Sequence, residues 1–436
     1  MDNRTPVSIF WFRRDLRLHD NAGLYHALKG EHAVLPVFIF DKEILNKLED
    51  KGDARVTFIH QTIQQLNDEL QQHNSSLLVL HGEPLQTWQM LLKDYNIAAV
   101  YTNHDYEPQA KKRDEQVEKL LRSQSTPFYA YKDQVIFEKD EVVKDDGKPY
   151  TVYTPYSRKW HQKLTSFFLK AYPTEKYYEK LVKTGSYQIP SLKDIGFEKS
   201  DRELPSIHYR EFIADYAQKR DFPGVKGTTH IGLHLRFGTV SIRELARTAN
   251  GCPEKTWLNE LIWREFYMMV LYHFPHTGDH AFKPEYDRIK WVNDEKQFEA
   301  WCKGETGFPL VDAGMRELNA TGYMHNRVRM VVASFLSKDL LIDWRWGERY
   351  FARKLLDYEM ASNVGGWQWA AGSGTDAAPY FRIFNPDSQL KKFDPDLTYV
   401  KKWVPEYADF TKYPQPIVDH AFARDRCLKV FKAALS

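Results

Sequence analysis

Three stretches of the chain set polar and aromatic side chains at spacings that suit chemistry. WLNELIWREFY puts Trp257, Glu260, Arg264 and Tyr267 at intervals of three, four and three, one face of a helix, with Trp263 beside it. As an ordinary amphipathic helix it would carry only a Glu260–Arg264 ion pair, worth about 0.2–0.5 kcal/mol. A charged pair set between large aromatics better suits a flat heteroaromatic ligand. TGYMHNRVRMVVASF runs Asn326, Arg329, Met330 and Ser334 along a second stripe, with Arg327 pointing elsewhere. Arginine among apolar neighbours is costly unless paired, and Asp357 and Glu359 in LLDYEMASN are candidate partners. The third stretch, SNVGGWQWAAGSGTD, holds Asn363, Gly365, Gly366, Trp367 and Trp369 and no charge until Asp376. It reads as a glycine-rich loop whose backbone approaches something closely and whose indoles cover a partner.

Helices and strands must position these groups. Between residues 7 and 131 the apolar runs VSIFWF, AVLPVFIF, SLLVLHG, AAVYT and PFYAY alternate with the helical patterns VTFIHQTIQQLNDELQQH, LQTWQMLLKDY and KKRDEQVEKLLRSQ. That alternation predicts a doubly wound parallel sheet over residues 1–135. Residues 136–205 are mixed and polar, a connector, and 206–436 are predominantly helical. The strongest helical patterns there are WLNELIWREFYMMVLYHF, GMRELNATGYMHNRVRMVVASFLSKDLL and GERYFARKLLDYEMAS. The expected architecture is an α/β domain joined by a long connector to an all-α domain.

Composition narrows the function. The 436 residues carry a formal charge of only +2, so any nucleic-acid groove is local rather than global. Cys252, Cys302 and Cys427 lie far apart, which excludes a disulfide framework and the usual zinc spacings; no metal is expected. No leader-like or membrane-spanning run is present, so a cytoplasmic protein is expected. RRDLRLHDN follows the first strand where a dinucleotide site would need G-x-G-x-x-G. HExxH, G-x-S-x-G and the kinase motifs are missing too, which leaves hydrolase and kinase readings without support. Gly227-Thr228-Thr229, ahead of an apolar run, reads either as a helix N-cap or as an anion site.

Taken in order, WFRRDLRLHDN, TTHIGLHLRFGTVS, WLNELIWREFY, GFPLVDAGMRELNATGYMHNRVRM and DYEMASNVGGWQWAAGSGTDAAPYFRIFNP resemble the photolyase/cryptochrome flavoproteins. The resemblance runs from about residue 7 to residue 405 and is closest to class I cyclobutane pyrimidine dimer (CPD) photolyases. It implies an N-terminal α/β domain and a helical domain holding FAD. Tyr216 and the segment Thr228, Thr229, His230, Ile231 and Gly232 would hold the FAD phosphates and ribitol. Trp257, Glu260, Arg264, Asn326, Arg329, Asp357 and Glu359 would line the ring pockets, with Arg329 paired to Asp357. Asn363 would face flavin N5, where an amide supports the reduced ring without adding charge; plant-type cryptochromes carry Asp there.

The implied reaction is light-driven: excited reduced FAD passes an electron to a pyrimidine dimer flipped out of UV-damaged DNA, the ring splits, and the electron returns. Trp263 and Trp369 would wall the dimer, Glu260 and Asn326 would hydrogen-bond it, and Met330 would pack on it. Arg327 and Arg382 would hold flanking phosphates. Trp367, Trp344 and Trp291 match the family's electron relay, with Trp346 offering a branch. Gly232, Tyr323 and Glu359 depart from the commoner family residues. Gln109-Ala110 replaces the Asn-Glu pair of folate antenna sites, so a second, antenna chromophore is of unassigned type. A monomer is expected. The competing expectations are a cryptochrome-type photoreceptor without repair, a (6-4) photolyase, and a light-insensitive flavin or nucleotide-binding protein.

Overall fold

The computed structural model describes residues 4–409 and 411–436. The chain divides into two compact units. One comprises the residues up to Glu138, Leu164–Ile207 and Ile231–Gly251; the other comprises Lys139–Lys163, His208–His230 and Cys252–Ser436.

The first unit is built on five parallel strands: β1 (Pro6–Phe12), β2 (Ala33–Asp41), β3 (Leu78–Gly82), β4 (Asn96–Asn103) and β5 (Phe128–Tyr131), ordered β3-β2-β1-β4-β5. The strands read as apolar runs because a parallel sheet is covered on both faces. Side chains alternate accordingly. Phe10 and Phe12 of β1 join Phe38 and Phe40 in one core, while Ile9 and Trp11 join Val37 and Ile39 in another. The α/β expectation holds, with helices at Ala54–Gln71, Pro84–Asp94 and Pro108–Ser123 between the strands.

The residues after β1 are committed to ion pairs. Arg13 pairs with Asp114, Arg14 with Asp105 and Glu107, and Arg17 with Asp133 at 2.8 Å. Asp133 also takes Arg243 at 2.8 Å, and Arg243 reaches Asp20 at 2.8 Å. Despite burial, these two guanidinium groups hold the Asp133 carboxyl down at about 2.

The second unit is helical. Thr256–His273 ends where Pro275 disfavours helical geometry at Phe274. The pattern expected over 314–341 is not one helix: Pro309–Thr321 and Asn326–Ser334 are separated at Gly322–His325, and one turn of π-helix, Phe335–Asp339, follows. His325 caps the second helix, its Nδ1 accepting from the Arg327 amide at 3.2 Å. Burial pushes this imidazole down to about 4, which keeps the nitrogen free to accept. The pattern at 347–362 likewise breaks, between Trp344–Lys354 and Met360–Ala371.

The glycine-rich stretch is the largest correction. It is a helix, Met360–Ala371, not a loop. Two glycines would cost an isolated helix about 1 kcal/mol each; tertiary contacts hold it. Val364, Trp367, Ala370 and Ala371 are buried. The Gln368 amide binds the carbonyls of Thr277 and His280 and the amide of Phe282, each at 2.9 Å. The helix stops at Gly372, whose φ of 90° suits glycine.

Candidate active-site cavity

A cavity of about 380 Å³ opens in the second unit between the Thr256–His273, Asn326–Ser334 and Met360–Ala371 helices. Glu260, Trp263, Arg264, Asn326, Arg329, Met330, Asp357, Glu359, Asn363, Trp367 and Trp369 all line it. Glu260, Arg264 and Tyr267 of the first stripe and Asn326, Arg329 and Met330 of the second thus face one volume.

Its charges are held by carboxylates from other elements. Arg329 Nη2 lies 2.9 Å from Asp357, as expected, and its Nε donates to the Met324 carbonyl at 2.7 Å. Arg264 lies 3.7 Å from Glu359. The expected Glu260–Arg264 pair does not form: Glu260 takes Arg220 instead. Burial pushes the Glu260 carboxyl up, and the Arg220 cation opposes that shift. Arg220 itself lines the cavity.

Asn363 is oriented by Glu348. Its Nδ2 donates to the Glu348 Oε1 at 2.9 Å and carbonyl at 3.2 Å, so the amide oxygen is the group left for a ligand. Burial raises the Glu348 carboxyl. Gly365 does not face the cavity: a methyl there would meet the Tyr267 ring at 2.2 Å, so the glycine lets two helices touch. Gly366 does line it, and a methyl there would meet nothing within 4 Å.

The aromatic walls are braced from behind. Trp263 stacks on Tyr153 at 3.6 Å and 6°. Trp369 tilts against Phe384 at 6.4 Å. Trp367 is buried with Phe351 at 5.0 Å and Trp301 at 6.1 Å as ring neighbours. Trp344 is buried in the same core, against which Trp291 packs half-buried. Trp346 also packs there.

Other expected residues stand off the cavity lining. Trp257 is buried and stacks on Tyr209 at 5.7 Å. Arg327 pairs with Asp221 at 2.7 Å and lies over Phe393. Ser334 is buried, and Arg382 is exposed. Thr228 bonds the Tyr323 hydroxyl at 3.2 Å, and His230 stacks on that ring at 4.0 Å. Tyr216 lies under the Arg220 guanidinium. Thr229 is buried. Ile231 and Gly232 belong to the first unit, where the helix Gly232–Phe237 starts with no side-chain cap, so the threonines do not cap it.

The family model for the FAD binding domain of DNA photolyase matches residues 257–412, and the DNA photolyase model matches residues 8–176. A deoxyribodipyrimidine photo-lyase of Alkalihalophilus pseudofirmus is 37% identical over 99% of this chain and 99% of its own. The chain belongs to the DNA photolyase family. Two solved photolyases share its fold. The bacterial class III photolyase from Agrobacterium tumefaciens has a TM-score of 0.86 at 32% identity, over 100% of this chain and 98% of that one. The archaeal photolyase from Sulfolobus tokodaii, solved with two FAD molecules, has a TM-score of 0.83 at 34% identity, over 98% and 100%.

The residues of this photolyase-family chain fit FAD. The space beside Gly366 accepts a flat ring, Arg329 and Arg264 offer fixed donors, and Asn363 offers an oriented acceptor. Sequence reasoning missed Arg220, Glu348, Tyr153 and Gln368. Their partners lie 40, 15 and 110 residues away for the first three, and for Gln368 about 90, beyond any helical or strand period. Among the described residues no helix is long and apolar enough to cross a membrane, and no His/Cys/Asp/Glu group could hold a metal ion.

Proposed function

We propose that this chain is a deoxyribodipyrimidine photo-lyase, a carbon–carbon lyase that splits cyclobutane pyrimidine dimers in UV-damaged DNA using light and FAD. One observation carries the reading: the residues suited to a flavin and those suited to a dimer line the same cavity. Bound reduced FAD would supply the light-excited electron. The chain's own part is to hold, orient and exclude water.

Arg329 with Asp357, and Arg264 with Glu359, present fixed cations to the electron-rich ring and its substituents. Asn363, turned by Glu348, would accept from N5–H of the reduced ring and adds no charge. Trp263 and Trp369 offer flat apolar walls to an extruded dimer. A dimer stacks poorly in the duplex, so extruding it costs less than extruding ordinary bases. Glu260, held by Arg220, and Asn326 present polar groups to the pyrimidine edges, and Met330 packs beside them. Arg382, exposed on the stretch that follows the Met360–Ala371 helix, would hold a phosphate next to the lesion.

Trp367, Trp344 and Trp291 would pass electrons inward when the flavin is oxidised. A chain that neutralises a few phosphates needs no large net charge, so +2 overall is compatible with DNA as partner. The α/β unit offers Gln109 exposed and Ala110 buried where a folate antenna would need an Asn-Glu pair. Extraction and spectra of the bound chromophores identify any second one. The test of the function is repair: the reduced protein is mixed with oligonucleotides carrying a CPD or a (6-4) lesion and lit with blue light. Restored thymines from the CPD alone, and none in the dark, are expected. No light-dependent repair would sink the reading in favour of a photoreceptor, and repair of the (6-4) lesion alone would reassign the substrate.

A further inference from the structure

An ammonium is costly to bury, and Lys338 is only 1% exposed. It stands on a π-helical turn, Phe335–Asp339, which prolongs the Asn326–Ser334 helix; such turns recur at functional sites. Burial pushes its ammonium down to about 8. The neighbouring carboxylate, Asp339, is engaged by His420. The bond that Lys338 does make is to main chain: Nζ donates to the carbonyl of Arg382 at 2.8 Å.

Arg382 lies on the stretch between the Met360–Ala371 and Pro386–Phe393 helices, which has no regular structure. That stretch is fixed at a few points around Arg382. Tyr380 stacks on Phe431 at 6.0 Å, the Arg382 amide closes a turn on the Pro379 carbonyl at 2.8 Å, and Phe384 meets Trp369. Between these anchors the side chains of Phe381 and Arg382 are exposed. A donor on the Arg382 carbonyl fixes that peptide plane, and with it the direction in which the arginine leaves the backbone.

We propose that Lys338 is a positioning residue for DNA: by holding the Arg382 carbonyl it aims the guanidinium at a phosphate beside the lesion. The inference rests on the reading of Arg382 given above. A preset arginine binds phosphate without first losing the conformational freedom of its segment, so the lysine raises affinity without touching DNA. A lysine that merely pinned the fold would act on stability alone and would not depend on the Arg382 side chain.

The test is a double-mutant cycle on the FAD-loaded protein, with flavin absorbance and melting temperature as controls of folding. Dissociation constants for a CPD oligonucleotide are measured over a range of salt for wild type, Lys338→Met, Arg382→Ala and the double variant. Lys338→Met is expected to bind about tenfold more weakly, with a salt slope reduced by about one, as for Arg382→Ala. In the Arg382→Ala background it should add less than about twofold. A Lys338→Met variant with wild-type affinity and slope, or two effects that multiply, overturns the proposal. An Arg382→Ala variant with wild-type affinity and salt slope overturns the phosphate reading of Arg382, and this inference with it. Should Lys338→Met not fold, hydrogen exchange on the wild-type holoprotein decides. Slower exchange at the Ile383 amide, which shares the Arg382 carbonyl's peptide plane, than at Thr375–Ala378 supports the anchor, and equal rates overturn it.

Discussion

The charged cluster after β1 and the cavity of the helical unit use the same materials differently. Both bring arginines, carboxylates and tryptophan together. After β1, Arg13, Arg14, Arg17 and Arg243 are closed onto Asp114, Asp105, Asp133 and Asp20, and the guanidinium groups of Arg13 and Arg113 lie over Trp11 at 5.0 and 5.1 Å. In the helical unit Arg220, Arg264 and Arg329 are also paired, yet each still borders about 380 Å³ of open volume. After β1 the Arg17–Asp133 and Arg243–Asp20 pairs lock buried charge to buried charge; in the helical unit the paired charge borders open volume and is presented to a ligand. Residue type alone does not separate the two.

The comparison breaks first at Asp133. Asp133→Ala leaves buried Arg17 without a carboxylate and Arg243 with Asp20 alone, so it should destabilise the first unit by about 3–5 kcal/mol in urea denaturation. Flavin content per folded molecule should be unchanged. A variant that keeps its stability but loses flavin would reverse the roles assigned to the two regions.

Acid probes the same carboxylate more gently. Its folded value of about 2 lies below the ordinary 3.8, so its contribution is full above the unfolded value and is lost as pH falls through the folded one. Circular dichroism should show about 2 kcal/mol of the first unit's stability disappearing between about pH 4 and pH 2. Stability flat across that window would mean the Asp133 pairs contribute nothing.

Asp357→Asn should act in the opposite sense to Asp133→Ala. It removes a partly exposed partner of Arg329, so stability changes little while FAD dissociates about tenfold more readily by equilibrium dialysis. Unchanged FAD affinity would move Arg329 from the cofactor site to the fold. The smallest effect is expected at Glu118→Ala. It breaks only the exposed Glu118–Arg122 pair, one helical turn apart, and should cost under about 0.5 kcal/mol with no change in flavin.

The strands were legible because a parallel sheet buried on both faces leaves unbroken apolar runs, and AVLPVFIF is β2 almost residue for residue. The cavity was legible in part, since Glu260, Arg264, Asn326 and Arg329 keep helical spacing that survives into the fold. What hid was anything set by tertiary contact. Glu260 has a carboxylate-to-arginine partner four residues on, but the fold gives it Arg220 from another segment. SNVGGWQW has the composition of a loop, yet Gln368 and the buried Trp367 hold it helical against local propensity. Resemblance drew attention to Asn363, whereas Glu348, which turns its amide, carried no local signal.

If flavin and lesion share one cavity, emission from the reduced flavin reports it. Adding a CPD oligonucleotide should quench that emission, since a dimer between Trp263 and Trp369 would stand beside the flavin as an electron acceptor, and undamaged DNA should not. Trp263→Ala or Trp369→Ala should raise the oligonucleotide concentration needed by about tenfold, in line with 1–3 kcal/mol per stacked base. Emission left unchanged by damaged DNA at concentrations that saturate binding would place the lesion outside the cavity and contradict the account.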